Sequence, residues 1–366
     1  MSDLELRAQC HTVIPGHQQG TPAQAFAAMA SWCEANQVGH DVYGEGELIQ
    51  SFERKVARLL GFEAGVFCIT GTMVQATALR LACQDRGSDL VALHPTSHIL
   101  VHERSNHALF GHFQALSVGD RHRPWRPDDL AAVPDRLGAV AMEMPMREIG
   151  GQNPLWDDIC AIKQASRARG AHLHMDGARL WECAAALDHS YADIASGFDS
   201  VYVSFYKGIG GLGGAMLLGT TDFVARAGEW FKRQGGNLIH RTPYVVAAAM
   251  QFDARLQAMP AYFRRTLWLY QLLRHFPHLR PNPAAPQSNM LHVHLPVGRE
   301  QALALRDAMA REHGVWLFQR AANAALPDSS VVELYVGDNL MRADDDTVRA
   351  ALARFDAMLA QAGARA

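Results

Sequence analysis

Two stretches decide how this chain is read: His172-Leu-His-Met-Asp-Gly-Ala-Arg179, and Ser200-Val-Tyr-Val-Ser-Phe-Tyr-Lys207 with its glycine-rich continuation Gly208-Ile-Gly-Gly-Leu-Gly-Gly214. Each opens as a short apolar run with strand character, Ala171 to Asp176 and Ser200 to Phe205, and a helix-like segment joins them. A strand, a helix and a second parallel strand place both carboxyl ends on one edge of a sheet, where open α/β sheets bind their ligands. Asp176 and Lys207 therefore share a crevice.

A lysine at a strand end is ordinarily a solvated surface group. Apolar neighbours on both sides of Lys207 predict partial desolvation instead, which lowers the amine pKa and makes it a usable nucleophile and base. A carboxylate facing such an amine suits pyridoxal phosphate: the lysine forms a Schiff base with the aldehyde, and the carboxylate keeps the ring nitrogen protonated. Two other chemistries compete for these residues. His172, His174 and Asp176 alternate onto one strand face like metal ligands, but a trio along one straight strand spans too far to chelate one ion easily, so no metal is expected. Gly208 to Gly213 matches a dinucleotide fingerprint, yet Ala215 to Leu218 after it reads as a strand, and without a helix N-terminus nothing would hold a pyrophosphate. The glycines are read as letting the backbone pass close to Lys207.

Working outward, residues 1–21 carry Pro15, Gly16 and Gly20 and read as an extended arm that reaches a partner subunit. Thr21 caps a helix from Pro22 to about Asn36. The Asp41-Val-Tyr-Gly44 loop either brings the Tyr43 phenol to a ligand or is a plain turn with a packed tyrosine. Ala64 to Ile69 reads as a buried strand entering Thr70-Gly71-Thr72 and a helix from Met73 to Cys83. That turn is either a phosphate site on a helix N-terminus or an ordinary βα turn with a threonine cap. Further strands are expected at Asp89 to Leu93 and Val140 to Met144. Beyond Gly219 come helices over 221–234, 245–258 and 261–275, then an α+β tail. The expected organisation is an arm at 1–21, a large domain at 22–245 and a small one at 246–366.

Composition excludes several classes. With 34 basic and 37 acidic residues the formal charge is −3, so nothing points to nucleic acid. Six cysteines, Cys10, Cys33, Cys68, Cys83, Cys160 and Cys183, lack paired spacing and fit a reducing cytoplasm. No apolar run is long enough to span a bilayer, and no basic and apolar leader opens the chain.

Asp41-Val-Tyr-Gly44, Thr70-Gly71-Thr72, His174-Met-Asp-Gly-Ala-Arg179 and Lys207-Gly208 occur in the order and approximate spacing of the threonine aldolase and β-eliminating lyase family. The chain resembles that family from about residue 10 to about residue 340. The resemblance implies an α/β fold-type I pyridoxal-phosphate architecture, with a mostly parallel central sheet flanked by helices and a smaller α+β C-terminal domain. It implies Lys207 as the Schiff-base lysine, Asp176 on the ring nitrogen, Arg179 near the ring hydroxyl, and Gly71 and Thr72 on the phosphate. His98 matches the histidine that stacks on the ring, and Ser204 joins the cofactor contacts. Arg241 matches an arginine that reaches the phosphate from a neighbouring subunit, with His240 competing for that place. Tyr43, Arg147 and Arg179 are the expected contacts for an amino-acid substrate.

Two departures from the family pattern bear on that substrate. Where the typical aldolases carry Asn-Thr-His-Asn, this chain has Met144-Pro-Met-Arg-Glu148, so a second histidine is missing. Glu333 stands where they carry the arginine that binds the substrate carboxylate, which leaves Arg147 to take that role or simply to pair with Glu148. The expected activity is retro-aldol cleavage of a β-hydroxy-α-amino acid by a homodimer or homotetramer. β-Elimination, transamination and cofactor binding with little turnover are the alternatives.

Overall fold

Four adjacent strands, Ala139–Glu143, His172–Gly177, Ser200–Ser204 and Ala215–Gly219, are buried at every position. They read as continuous apolar runs because helices cover both faces of the sheet and no face needs polar residues. The computed structural model, which describes residues 2–18 and 20–363, sets them in a seven-stranded sheet. Its spatial order is Ala64–Cys68, Ala215–Gly219, Ser200–Ser204, His172–Gly177, Ala139–Glu143, Leu90–Leu93 and Gln114–Ser117. Ala215–Gly219 runs antiparallel to both of its neighbours. Every other pairing is parallel.

The helix Gly71–Arg86 is the spine of the larger unit. Val74, Ala78 and Leu81 pack with Tyr202, Leu217, Phe223 and Phe231, while Leu79, Ala82 and Cys83 pack with Val91, Leu93, Ile99 and Ala139. Apolar side chains on two faces bind it to both halves of the sheet, so its N-terminus is fixed at the sheet's carboxyl edge.

The chain divides into two units, one made of Gly20–Glu148 and Gln152–Gln257, the other of residues 2–18, Ile149–Gly151 and the described chain from Ala258 onward. The division falls inside one helix, Thr242–Leu273, rather than at 245/246. Pro260, expected to separate two helices, lies within this one. Its missing N–H removes one hydrogen bond, and buried Phe252, Met259, Tyr262 and Leu269 carry the apolar face through it. The smaller unit has a four-stranded antiparallel sheet in the order Ala321–Asn323, Ser330–Tyr335, Met290–Leu295 and Arg280–Asn282.

The expected extended arm is corrected by the structure. Ser2 caps a helix, Asp3–Ala8, in a capping box with Glu5, and Leu6 packs against Ala310 and Trp316. Thr12–Val13 then pairs in parallel with Val315–Trp316, and Asp3 sits 3.0 Å from the buried Arg306 guanidinium. This segment is tied into the smaller unit of its own chain; Met1 and Gln19 lie outside the described residues. The edge strand Gln114–Ser117 and the C-terminal helix Asp345–Gly363 also lie beyond what the sequence reading anticipated. Among the described residues no helix is long and apolar enough to cross a membrane.

His172 and His174 are bound within the sheet. Both rings meet Ser200 Oγ, at 2.8 and 2.7 Å, and His174 Nε2 lies 2.7 Å from Gln75 Oε1. Among the described residues no group of three His, Cys, Asp or Glu side chains is arranged to hold a metal. Burial pushes the His174 imidazole down to about 3 and that of His172 down to about 4. The unfolded chain takes up protons there below about pH 6.5 while the folded chain refuses them. Stability is therefore full above that pH and is lost as pH falls through 6.5 toward 4, at roughly 1.4 kcal/mol per pH unit for each histidine. His174→Gln should lose less stability than the wild type between pH 7 and 4.5, measured as urea midpoints. Equal losses would remove His174 from the cause.

Candidate active site

Three parallel strand ends build the site. Register sets Glu143 beside Asp176 and Asp176 beside Tyr202, and the chain leaves the last strand at Ser204 to reach Lys207. Gly210 N–H closes a turn on the Lys207 carbonyl at 3.0 Å, and Gly211 N–H reaches the Phe205 carbonyl at 2.7 Å. The strand Ala215–Gly219, not a helix, follows these glycines.

Asp176 is buried, and its Oδ1 accepts the Ala178 N–H at 3.2 Å. Ser204 Oγ donates to the Ala178 carbonyl at 2.7 Å, so this hydroxyl holds the loop after Asp176 against the strand that carries Lys207. The Lys207 amine is pushed down to about 8 by burial first and by the nearby Arg179 charge second, against the pull of Asp176, Glu143 and Glu182. The desolvation expected from its apolar neighbours is thus what the site provides.

The Thr70-Gly71-Thr72 turn carries the helix Gly71–Arg86, and Thr70 occupies the N-cap position without a side-chain capping bond. That removes the threonine-cap alternative and leaves the first-turn N–H groups without that partner. A Cβ on Gly71 would collide with Tyr202 Oη, so only glycine lets the turn approach the strand here.

His98 opens a short helix, His98–His102. Its backbone N–H donates to Glu143 Oε2 at 2.9 Å, and the other Glu143 oxygen accepts the Arg147 N–H, also at 2.9 Å. One carboxylate therefore pins two loops. Burial, then the neighbouring Asp176, raises Glu143 to about 7. The His98 Nδ1 lies 3.2 Å from Glu103 Oε1; that bond raises the His98 pKa, and burial raises that of Glu103.

Arg147 Nη1 lies 3.4 Å from Glu148 Oε1 and 3.5 Å from His102 Nε2, and the His102 ring is centred 5.1 Å from that of His98. Arg147 thus does pair with Glu148, and it does so beside the site histidine. Glu333 lies in the smaller unit, opposite His292 on the antiparallel pair.

Tyr43 and Arg241 form a second group. The Tyr43 N–H donates to the Ile239 carbonyl at 2.9 Å, and the side chain is exposed rather than packed. Arg241 N–H donates to Asp41, and its guanidinium donates to the Phe67 carbonyl and Asn237 Oδ1. His240 Nδ1 lies 2.7 Å from the Asp41 carbonyl. These contacts run to one another and not to Lys207 or Asp176. Sequence reasoning did not single out Glu143, Tyr202 or Glu182; an acid within the apolar Ala-Val-Ala-Met-Glu strand was the available signal for the first.

Pyridoxal phosphate fits these residues. A depressed lysine amine faces a buried carboxylate, a close-packed glycine turn opens a helix N-terminus to a phosphate, and Arg179 keeps a buried Nε with no hydrogen-bond partner.

The comparisons agree. The model of the β-eliminating lyase family matches residues 20–296. A solved structure from Listeria monocytogenes, a candidate L-allo-threonine aldolase, superposes with a TM-score of 0.90 at 31% identity, covering 96% of this chain and 98% of that one. The low specificity L-threonine aldolase of Escherichia coli K12 is 26% identical over 319 residues, 86% of this chain and 91% of that protein. An uncharacterised Caenorhabditis elegans protein is 32% identical over 258 residues, 68% of this chain but only 58% of its own length. The architecture is therefore fold-type I, and the cofactor is pyridoxal phosphate.

Because Glu103 is the main cause of the raised His98 pKa, Glu103→Gln should lower it. A histidine NMR titration reads this directly, and an unmoved His98 would assign Glu103 a packing role alone.

Proposed function

The chain belongs to the β-eliminating lyase family of pyridoxal-phosphate enzymes, and on that premise we propose that it cleaves β-hydroxy-α-amino acids by a retro-aldol reaction to glycine and an aldehyde. The observation that carries the reading is the meeting of Lys207 and Asp176 with His98, an acid–base group oriented by Glu103, at one sheet edge.

When bound, pyridoxal phosphate supplies a carbonyl for the substrate amino group and an electron-withdrawing ring for the charge left at Cα. The chain does the rest. Asp176, fixed by the Ala178 N–H, would face the ring nitrogen, and the helix N-terminus at Gly71 and Thr72 would hold the phosphate. Lys207, held near 8, keeps a useful neutral fraction close to neutral pH for nucleophilic attack and proton transfer. His98 uses Nδ1 on Glu103, which leaves Nε2 to take the β-hydroxyl proton. Arg179 contributes positive charge beside Lys207.

A panel of amino acids with the loaded protein tests this reading, together with borohydride reduction and peptide mapping. Threonine, allo-threonine and phenylserine should give glycine and the matching aldehyde, and the reduced cofactor should map to Lys207. Pyruvate and ammonia from serine, without glycine from the hydroxy-amino acids, would move the assignment to β-elimination. A label on another lysine would overturn the site.

Arg147 is the residue proposed to meet the substrate carboxylate, in place of the arginine that Glu333 replaces. A guanidinium offers a carboxylate two parallel hydrogen bonds. Arg147→Ala should raise KM for amino acids by roughly 10², as expected for loss of a charge-assisted pair, with cofactor absorbance unchanged. An unchanged KM would return Arg147 to its pairing with Glu148.

The proposed assembly is a homodimer or homotetramer. The helix Pro22–Ala35 has apolar residues on several sides and buries none of them within the chain, and Val42, Tyr43, Leu238 and Ile239 are exposed. A second subunit would cover these groups and bring Arg241 to a neighbour's phosphate. The six cysteines, all thiols, support a reducing cytoplasm.

A further inference from the structure

Glu182 has no part in the chemistry above, yet its side chain lies against the residue that follows Lys207. It falls in the first turn of the helix Leu180–Leu187, directly after the Asp-Gly-Ala-Arg179 loop, and is 1% exposed. Both of its carboxylate oxygens are buried, and the polar groups directed at them are the backbone N–H groups of Glu182 and Gly208. A Cβ on Gly208 would collide with Glu182 Oε1 and lie 2.6 Å from Cδ. The carboxyl therefore rests on the Gly208 backbone, in the space a Cβ there would occupy.

A fully buried carboxyl held by backbone N–H groups alone is costly when charged, and a packed core would more cheaply hold an apolar side chain. An acid kept there, against the residue that follows Lys207, calls for an explanation in function. The charged and titratable groups that face it come from four elements: Arg179 from the preceding loop, Lys207 from the strand end, Cys183 from its own helix and Tyr191 from the helix Tyr191–Ala195. Of these, Arg179 and Lys207 are the cations. The Arg179 Nε is itself buried without a partner. We propose that Glu182, packed against Gly208, is a positioning residue whose charge biases Lys207 toward ammonium.

Burial raises Glu182 to about 7, with Arg179 and then Lys207 opposing the shift. Lys207 is at about 8, and Glu182 is among the charges that raise it. The two groups thus change charge in adjoining pH ranges, and each biases the other by the same free energy. An ionised Glu182 favours the ammonium; a protonated one releases it toward the amine. The inference concerns the amine itself and holds for any amino-acid substrate.

The chain has four lysines, Lys55, Lys163, Lys207 and Lys232, so methyl-¹³C labelling of the full chain without cofactor gives a spectrum of few signals. Lys207 is assigned by its loss in Lys207→Arg. Glu182→Gln keeps size and removes the charge, and the Lys207 titration should move down. In the loaded protein the pH transition of the visible absorbance should move with it. A Lys207 titration unchanged in Glu182→Gln overturns the proposal. Should that variant not fold, the reciprocal experiment decides. In ¹³C-carboxyl-labelled Lys207→Met the Glu182 carboxyl should titrate higher than in the wild type, and an unmoved carboxyl would be equally fatal.

Discussion

The constraint on which the site depends is the burial of charge at the carboxyl ends of three parallel strands. Glu143, Asp176 and Glu182 are buried, Glu103 is buried beside them, and Lys207 and Arg179 supply the positive charge. In water these groups would each ionise near their ordinary values. Removed from water, the charged form of each is penalised first by burial, and the result is two carboxyls raised to about 7 and an amine lowered to about 8. The shifts draw three ionisations toward neutral pH, where acid–base chemistry is most useful. That arrangement is destabilising in itself, and the fully apolar sheet and the two-sided spine helix supply the burial that offsets it.

Close packing of backbone around these charges involves two glycines of the site directly. Gly71 gives way to Tyr202 Oη and Gly208 gives way to the Glu182 carboxyl. Neither is required by a left-handed backbone; each is required because another group already occupies the Cβ position. The glycine cluster after Lys207 thus serves side-chain placement beneath the lysine as well as the turn that closes on its carbonyl.

Much of this was legible in the sequence, because the parallel strands are unbroken apolar runs ending in polar residues. Asp176, Lys207 and Gly71 could be placed from that pattern alone, and the sheet interior followed. The misses share a cause: they concern groups whose meaning depends on what lies opposite in space. Ser2 and Glu5 form a capping box that fixes a helix where prolines and glycines further along suggested an arm. Pro260 reads as a breaker, but buried neighbours before and after it keep one helix. Nothing in the sequence sets Glu182 apart, and it becomes unusual only through its contact with Gly208. The pairing of His172 and His174 through Ser200 belongs to the same kind, since strand alternation gives their common face but not the hydroxyl that occupies it.

The segment 144–148 shows how one end of such a site is held. Its first fixed point is the Arg147 N–H on Glu143 Oε1, and its second is the bridge from Met146 to Gln152. Both act through backbone, while the Met144 and Met146 side chains are buried and Glu148 Oε1 lies 2.8 Å from His102 Nε2. Glu143 meanwhile holds the His98 N–H with its other oxygen, so the same carboxyl places the helix that carries His98. One buried carboxyl thus fixes both the loop that carries Arg147 and the helix that carries His98, and it does so through backbone N–H groups, next to Asp176 on the neighbouring strand.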